Sequence, residues 1–161
     1  KESASRMMQY QGRCYVPYIN NAYNKTGTIW QGRYKASLID PETQLLNNML
    51  YIENLPVREK LVKSAGTYKW SSYKFNAQGR KNTLITAHEK YTELAKTDKT
   101  RLDKYTTLSK TGLADEVNSD IQDAWQTGTP QGSDKFKKMV ERRLKIKVGH
   151  AKRGRPRKNP A

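Results

Sequence analysis

Residues 26–58 read TGTIWQGRYKASLIDPETQLLNNMLYIENLPVR, and the rest of the chain is organised around them. From Trp30 the residues alternate. Trp30, Gly32, Tyr34, Ala36 and Leu38 share one side and Gln31, Arg33, Lys35 and Ser37 the other, which is the period of a half-buried strand. Such a strand packs its aromatic side on helices and presents Arg33 and Lys35 to an anionic partner. Asp40 then offers a helix N-cap, Pro41 suits the first helical position, where no amide hydrogen is needed, and Glu42 complements the positive end of the helix dipole. Pro56 disfavours helical geometry at Leu55, so this helix is expected to end near Asn54, with a short further helix from Val57 to Val62.

At about 100° per residue, Leu45, Met49 and Ile52 form an apolar stripe widened by Leu46 and Leu50, and Tyr51 projects about 120° from its centre. Tyr51 shares its side with Gln44, Asn48 and Leu55, a setting expected to keep the phenol accessible. Taken alone, it reads as a surface or edge-packing tyrosine.

Composition sets the class of partner. The 161 residues carry 31 Lys or Arg against 15 Asp or Glu, a formal net charge of +16, which favours a polyanion. Much of the excess is local, since residues 135–161 hold twelve Lys or Arg and one acid, Glu141. The single Cys14 excludes an internal disulfide and is expected to be a small buried hydrophobe. Without a signal sequence or an apolar run of spanning length, a cytoplasmic, nucleoid-associated location is expected, with no membrane partner.

Residues 3–24 read as helical, with a kink or a break into two shorter helices at Pro17, and with Met8, Cys14, Tyr15, Tyr18, Ile19 and Ala22 on a side expected to be core. Trp70 to Tyr73 is expected to pack back on the domain, and the polar run Gln78 to Asn82 to mark a boundary. Thr86 and Glu89 have capping-box spacing, and His88 between them is read as structural or solvated. Asp98 caps a helix carrying Leu102, Tyr105 and Leu108 that Gly112 ends. Leu113, Val117, Ile121 and Trp125 line another that stops at Gly128. Ser133 caps the last helix, which turns Phe136, Met139, Val140 and Leu144 inward. Beyond Val148, Lys152, Arg153, Gly154, Arg155, Pro156, Arg157 and Lys158 contain the Arg-Gly-Arg-Pro core of an AT-hook. There glycine lets the backbone lie low in a narrow A·T-rich minor groove and the arginines meet its potential. The alternative is a disordered, nonspecific basic tail.

The run GRCYVPYINNAYNKTGTIWQGRYKASLIDPETQLLNNMLYIENLPVREKLV, then YKWSSYKF, LITAHEKYTEL, GSDKF and KRGRPRK in order, resembles the REP-associated tyrosine transposases of the HUH class across most of the chain. The resemblance implies an α+β fold: the C-terminal part of a ferredoxin-like domain over residues 1–79 (long helix, strand, tyrosine-bearing helix), a helical region over 80–148 and a basic tail over 149–161. It implies that Tyr51 attacks single-stranded hairpin DNA, leaving a 5′-phosphotyrosine, and that Arg33, Lys35 and Arg58 lie near the DNA backbone. It also implies a Mg²⁺ or Mn²⁺ cofactor, with a homodimer left open. Two departures accompany it. The family's His-hydrophobic-His motif has no counterpart, His88 and His150 being the only histidines, and the chain starts at Lys1. An N-terminally incomplete protein, inactive alone, is therefore expected. Asn54 and Leu55 also stand in swapped order relative to the family, leaving Asn54 as the one candidate metal ligand. The competing readings are a non-catalytic DNA-binding transposase remnant and, on charge alone, an RNA-binding protein.

Overall fold

The computed structural model describes residues 3–148, in two compact units divided between Lys35 and Ala36. The AT-hook-like residues Lys152, Arg153, Gly154, Arg155, Pro156, Arg157 and Lys158 lie outside the described residues.

The first unit is one helix and a returning segment. Helix α1 spans Ser3–Ala22 with Pro17 inside it. Asn24 and Gly27 take positive φ, Asn20 donates to the Gly27 carbonyl (2.9 Å), and the chain turns back. Trp30 then meets Tyr15, ring centroids 6.4 Å apart, and the Tyr34 hydroxyl reaches Ser5 (2.6 Å). The strand expected from Trp30 to Leu38 does not form. An alternating pattern becomes a strand only when a second strand satisfies its amides, and among the described residues none lies beside it. The expected core side of α1 is likewise overturned, for Cys14, Tyr15 and Tyr18 are exposed.

The second unit is helical. It comprises α2 (Pro41–Arg58), α3 (Tyr73–Asn76), α4 (Glu89–Thr92), α5 (Asp98–Thr111), α6 (Asp115–Thr127) and α7 (Asp134–Leu144), with a 3₁₀ turn at Ala65–Thr67. The α+β ferredoxin-like expectation is thus corrected: among the described residues regular structure is helical, and a lone parallel bridge, Ile39 to Gln131, replaces a sheet.

Asp40 caps α2 as expected, accepting from the Glu42 amide (3.3 Å) and the Thr43 hydroxyl (3.1 Å). The helix does not stop at Asn54. It runs through Pro56 to Arg58, and the Glu59 amide closes the last turn on the Leu55 carbonyl (2.9 Å). Proline removes one hydrogen bond near a helix end where packing holds the backbone, and Pro56 itself is buried. The segment 129–132 clamps the start of α2. Asp40 and Gln131 exchange backbone bonds with Gln131 and Leu38, and the buried Asn48 amide donates to the Gln131 side chain (2.9 Å).

The core joins Leu50, Ala77, Tyr91 and Tyr105, flanked by Leu46, Met49, Tyr73, Leu94 and Leu113. Tyr91 and Tyr105 meet edge to face, centroids 5.4 Å apart, and the Tyr91 hydroxyl donates to the Asn76 carbonyl (2.8 Å). Because α4 and α5 both pack on α2, elements on either side of residue 79 share this core. Caps at α4 and α5 differ by a residue or two from the sequence reading: His88 Nδ1, not Thr86, accepts from the Lys90 amide (3.1 Å), and Thr97, not Asp98, caps α5. Gly112, Gly128 and Ser133 act as read. Trp70 does not pack back; it is 75% exposed. Among the described residues no helix is long and apolar enough to cross a membrane.

Candidate nucleic-acid interface

Tyr51 sits in the middle of α2, and its side chain is 5% exposed. This corrects the accessible phenol expected from helical periodicity. The expected Leu45–Met49–Ile52 stripe is not the buried side throughout: Ile52 is exposed, while Asn48, Leu50, Tyr51, Glu53 and Pro56 are buried, and α6 packs on the same helix. Seven residues further on, the Arg58 guanidinium lies over the Tyr51 ring, 5.3 Å from its centroid. The seven-residue spacing is two helical turns and puts both side chains on one face. Arg58 is oriented from outside α2, since its Nη1 donates to Asn118 Oδ1 (3.1 Å), and Asn118 is anchored by donating to the Leu113 and Ala114 carbonyls. A phenol and a positively charged guanidinium on α2 are therefore held together with the help of Asn118 on α6, 60 residues from Arg58.

The rotation of α2 is fixed by Glu53, two residues from Tyr51 and fully buried. Its Oε1 accepts from the Ser72 hydroxyl (2.5 Å) and the Asn76 amide (2.7 Å), and its Oε2 accepts from the Tyr105 hydroxyl (2.9 Å). Three donors from α5 and the segment around α3 thus converge on one carboxyl, the compensation that a buried polar group requires. Burial, then the charge of Glu53, pushes the Tyr105 phenol well above its usual range. Burial likewise raises Tyr91, against the opposing influence of Arg101, whose guanidinium lies 5.4 Å from the ring centroid. At the outer end of the same core, hydrogen bonds to Glu42 (2.8 Å) and Glu93 (2.7 Å) raise the Lys90 ammonium.

Of the residues singled out from sequence, the structure brings Tyr51 and Arg58 together. Asn54 is half-buried on α2, one turn from Tyr51. Arg33 and Lys35 belong to the first unit, where both are exposed. No group of three or more His, Cys, Asp or Glu side chains converges among the described residues. Sequence reasoning passed over Glu53 and Asn118. A glutamate and an asparagine inside helices look like solvated positions, and only their fall on core-facing sides beside Leu50 and Ile121 distinguishes them.

Comparison of the chain with protein-family models, curated proteins and solved structures gives no match.

Proposed function

We propose that the chain is part of a single-tyrosine DNA transposase that binds, cleaves and rejoins single-stranded hairpin DNA, with Tyr51 as nucleophile. The observation that carries the reading is the Arg58 guanidinium held over the Tyr51 ring, within the segment YIENLPVR whose sequence resembles the nucleophile motif of the REP-associated tyrosine transposases. The net charge of +16 supports a nucleic-acid partner.

In the proposed reaction the Tyr51 phenol gives up its proton to solvent as its oxygen attacks phosphorus in the DNA backbone, and a Tyr–O–P bond forms. The bond from phosphorus to the 3′ oxygen breaks, and that oxygen leaves as a 3′ hydroxyl after taking a proton. The 5′-phosphotyrosine is reversed when another 3′ hydroxyl attacks. Arg58 contributes a fixed positive charge beside the phenolate and the phosphate it meets, the preorganised electrostatics such transfers rely on. The resemblance also implies Mg²⁺ or Mn²⁺, for which Asn54 is the one candidate ligand in this sequence.

A second reading follows from the 5% exposure of Tyr51: a DNA-binding protein that does not cleave. The two part on one experiment. The chain is incubated with labelled hairpin DNA and Mg²⁺ or Mn²⁺, alone and with a separately supplied segment bearing a His-hydrophobic-His strand. A covalent protein–DNA adduct that is lost in Tyr51→Phe supports the transposase. Binding without an adduct under every condition supports the non-catalytic protein.

A further inference from the structure

One surface of the second unit has no part in the site around Tyr51. Residues 60–88 contain six Lys or Arg and no Asp or Glu. Four of those cations, Lys69, Lys74, Arg80 and Lys81, line a single cleft of about 460 Å³ together with polar groups such as Asn82. That volume is on the scale of sites that seat small ligands or part of a polymer, about 300–1,000 Å³. Among the described residues, the ion pairs of the second unit gather elsewhere, around Lys90 and Arg101.

The walls of the cleft are built before any ligand arrives. The Arg80 amide donates to the Lys74 carbonyl (2.9 Å) and the Leu84 amide to Asn82 Oδ1 (2.9 Å). Gly79 turns the chain with φ +67°, and a Cβ there would lie 2.9 Å from Leu102 Cδ1, so the loop is seated close against α5. Beside the cleft stands Trp70, with the Lys69 ammonium 4.5 Å from its ring centroid and most of its indole in solvent. An exposed tryptophan next to clustered cations is the pairing that single-stranded nucleic acid uses: phosphates follow the cations and an unstacked base lies on the indole. A duplex keeps its bases stacked away from such a ring, and an acidic peptide brings no flat base to cover it.

We propose that the cleft of Lys69, Lys74, Arg80 and Lys81, with Trp70 beside it, is a binding site for single-stranded DNA, the cations taking backbone phosphates and the indole one base. The choice of DNA rests on the transposase reading; the phosphate and base contacts rest on the cleft.

The test is fluorescence anisotropy of the full chain with labelled oligothymidylate and oligouridylate over a salt series. Trp70→Ala is expected to weaken DNA binding by about 5- to 150-fold, the loss of one stacked base, and to abolish the tryptophan quenching that DNA produces; Trp70→Phe retains part of the affinity. The double variant Arg80→Gln/Lys81→Gln is expected to reduce the slope of log affinity against log salt by about 1.4, from about 0.7 per phosphate contact. All three side chains are exposed, and an unchanged thermal midpoint verifies that the variants fold. Wild-type binding that neither variant alters overturns the site and leaves the transposase reading standing. Binding lost in the variants but with no Tyr51 adduct supports the site while the transposase reading fails. Tighter binding of oligouridylate, with the same losses, overturns DNA as its occupant.

Discussion

Replacing Tyr105 by Phe tests whether the buried Glu53 network holds the second unit together. The substitution removes only the hydroxyl that donates to Glu53 Oε2 (2.9 Å) and leaves the ring against Tyr91, centroids 5.4 Å apart, so no cavity larger than one oxygen opens. A hydrogen bond to a charged partner contributes about 1.5–3 kcal/mol, and one carboxyl oxygen loses its donor where water does not reach. At about 2–4 °C per kcal/mol for a chain of this size, the midpoint should fall by about 3–12 °C. Urea unfolding followed by far-ultraviolet circular dichroism and by fluorescence gives the free energy directly. Glu53→Gln is the companion variant. Its amide oxygen can still accept from Ser72 and Asn76 and its nitrogen can donate to the Tyr105 oxygen, so it should lose less than Tyr105→Phe. A Tyr105→Phe protein within about 0.5 kcal/mol of wild type, the range of an ordinary surface substitution, refutes the reasoning.

Three further outcomes are expected. Because burial raises the Tyr91 and Tyr105 phenols, their contribution is fully present below the unfolded tyrosine value near pH 10 and is lost as pH rises through the folded values. Absorbance titration at 295 nm should therefore show a part of the phenol signal, that of Tyr91 and Tyr105, appearing only together with unfolding, and a titration complete before the protein unfolds would contradict it. Asp40→Ala removes the acceptor for the Glu42 amide and the Thr43 hydroxyl and should cost about 0.5–2 kcal/mol in the same unfolding assay. Deleting residues 149–161, which carry Lys152, Arg153, Arg155, Arg157 and Lys158, should weaken DNA binding and flatten its salt dependence, and an unchanged slope rules out a role for the tail in DNA contact.

Helix ends were legible where the signal is local. Asp40–Pro41, Gly112, Gly128 and Ser133 each act through atoms within a few residues, and each marks its terminus in the structure. Features that depend on distant partners were not. The alternation of Trp30 to Leu38 states what a strand would bury but not whether a neighbour exists to pair with it, and Trp30 and Tyr34 instead meet α1. Pro56 signalled an end that packing overrode. Periodicity centred the apolar stripe of α2 on Leu45, Met49 and Ile52, whereas Ile52 is 60% exposed and Tyr51 is buried next to Leu50, so the buried side is rotated from the one the pattern indicated. Within the candidate site, Tyr51 and Arg58 were each singled out through the motif, but their stacking was not legible, because the sequence pattern puts Arg58 beyond the end of the helix that in fact carries it. Asn118, which orients Arg58 across 60 residues of sequence, carries no local mark.

The most direct measurement of the proposed activity is the position of the phosphate. Trypsin releases residues 36–58 as one peptide, with no Lys or Arg before Arg58 and with Tyr51 as its single tyrosine. After incubation with hairpin DNA, divalent cation and the complementing histidine segment, then nuclease and trypsin digestion, mass spectrometry should find a nucleotide phosphate on that peptide. Its fragments should assign the added mass to Tyr51. An unmodified 36–58 peptide, or a phosphate on any of the other tyrosines, contradicts the account.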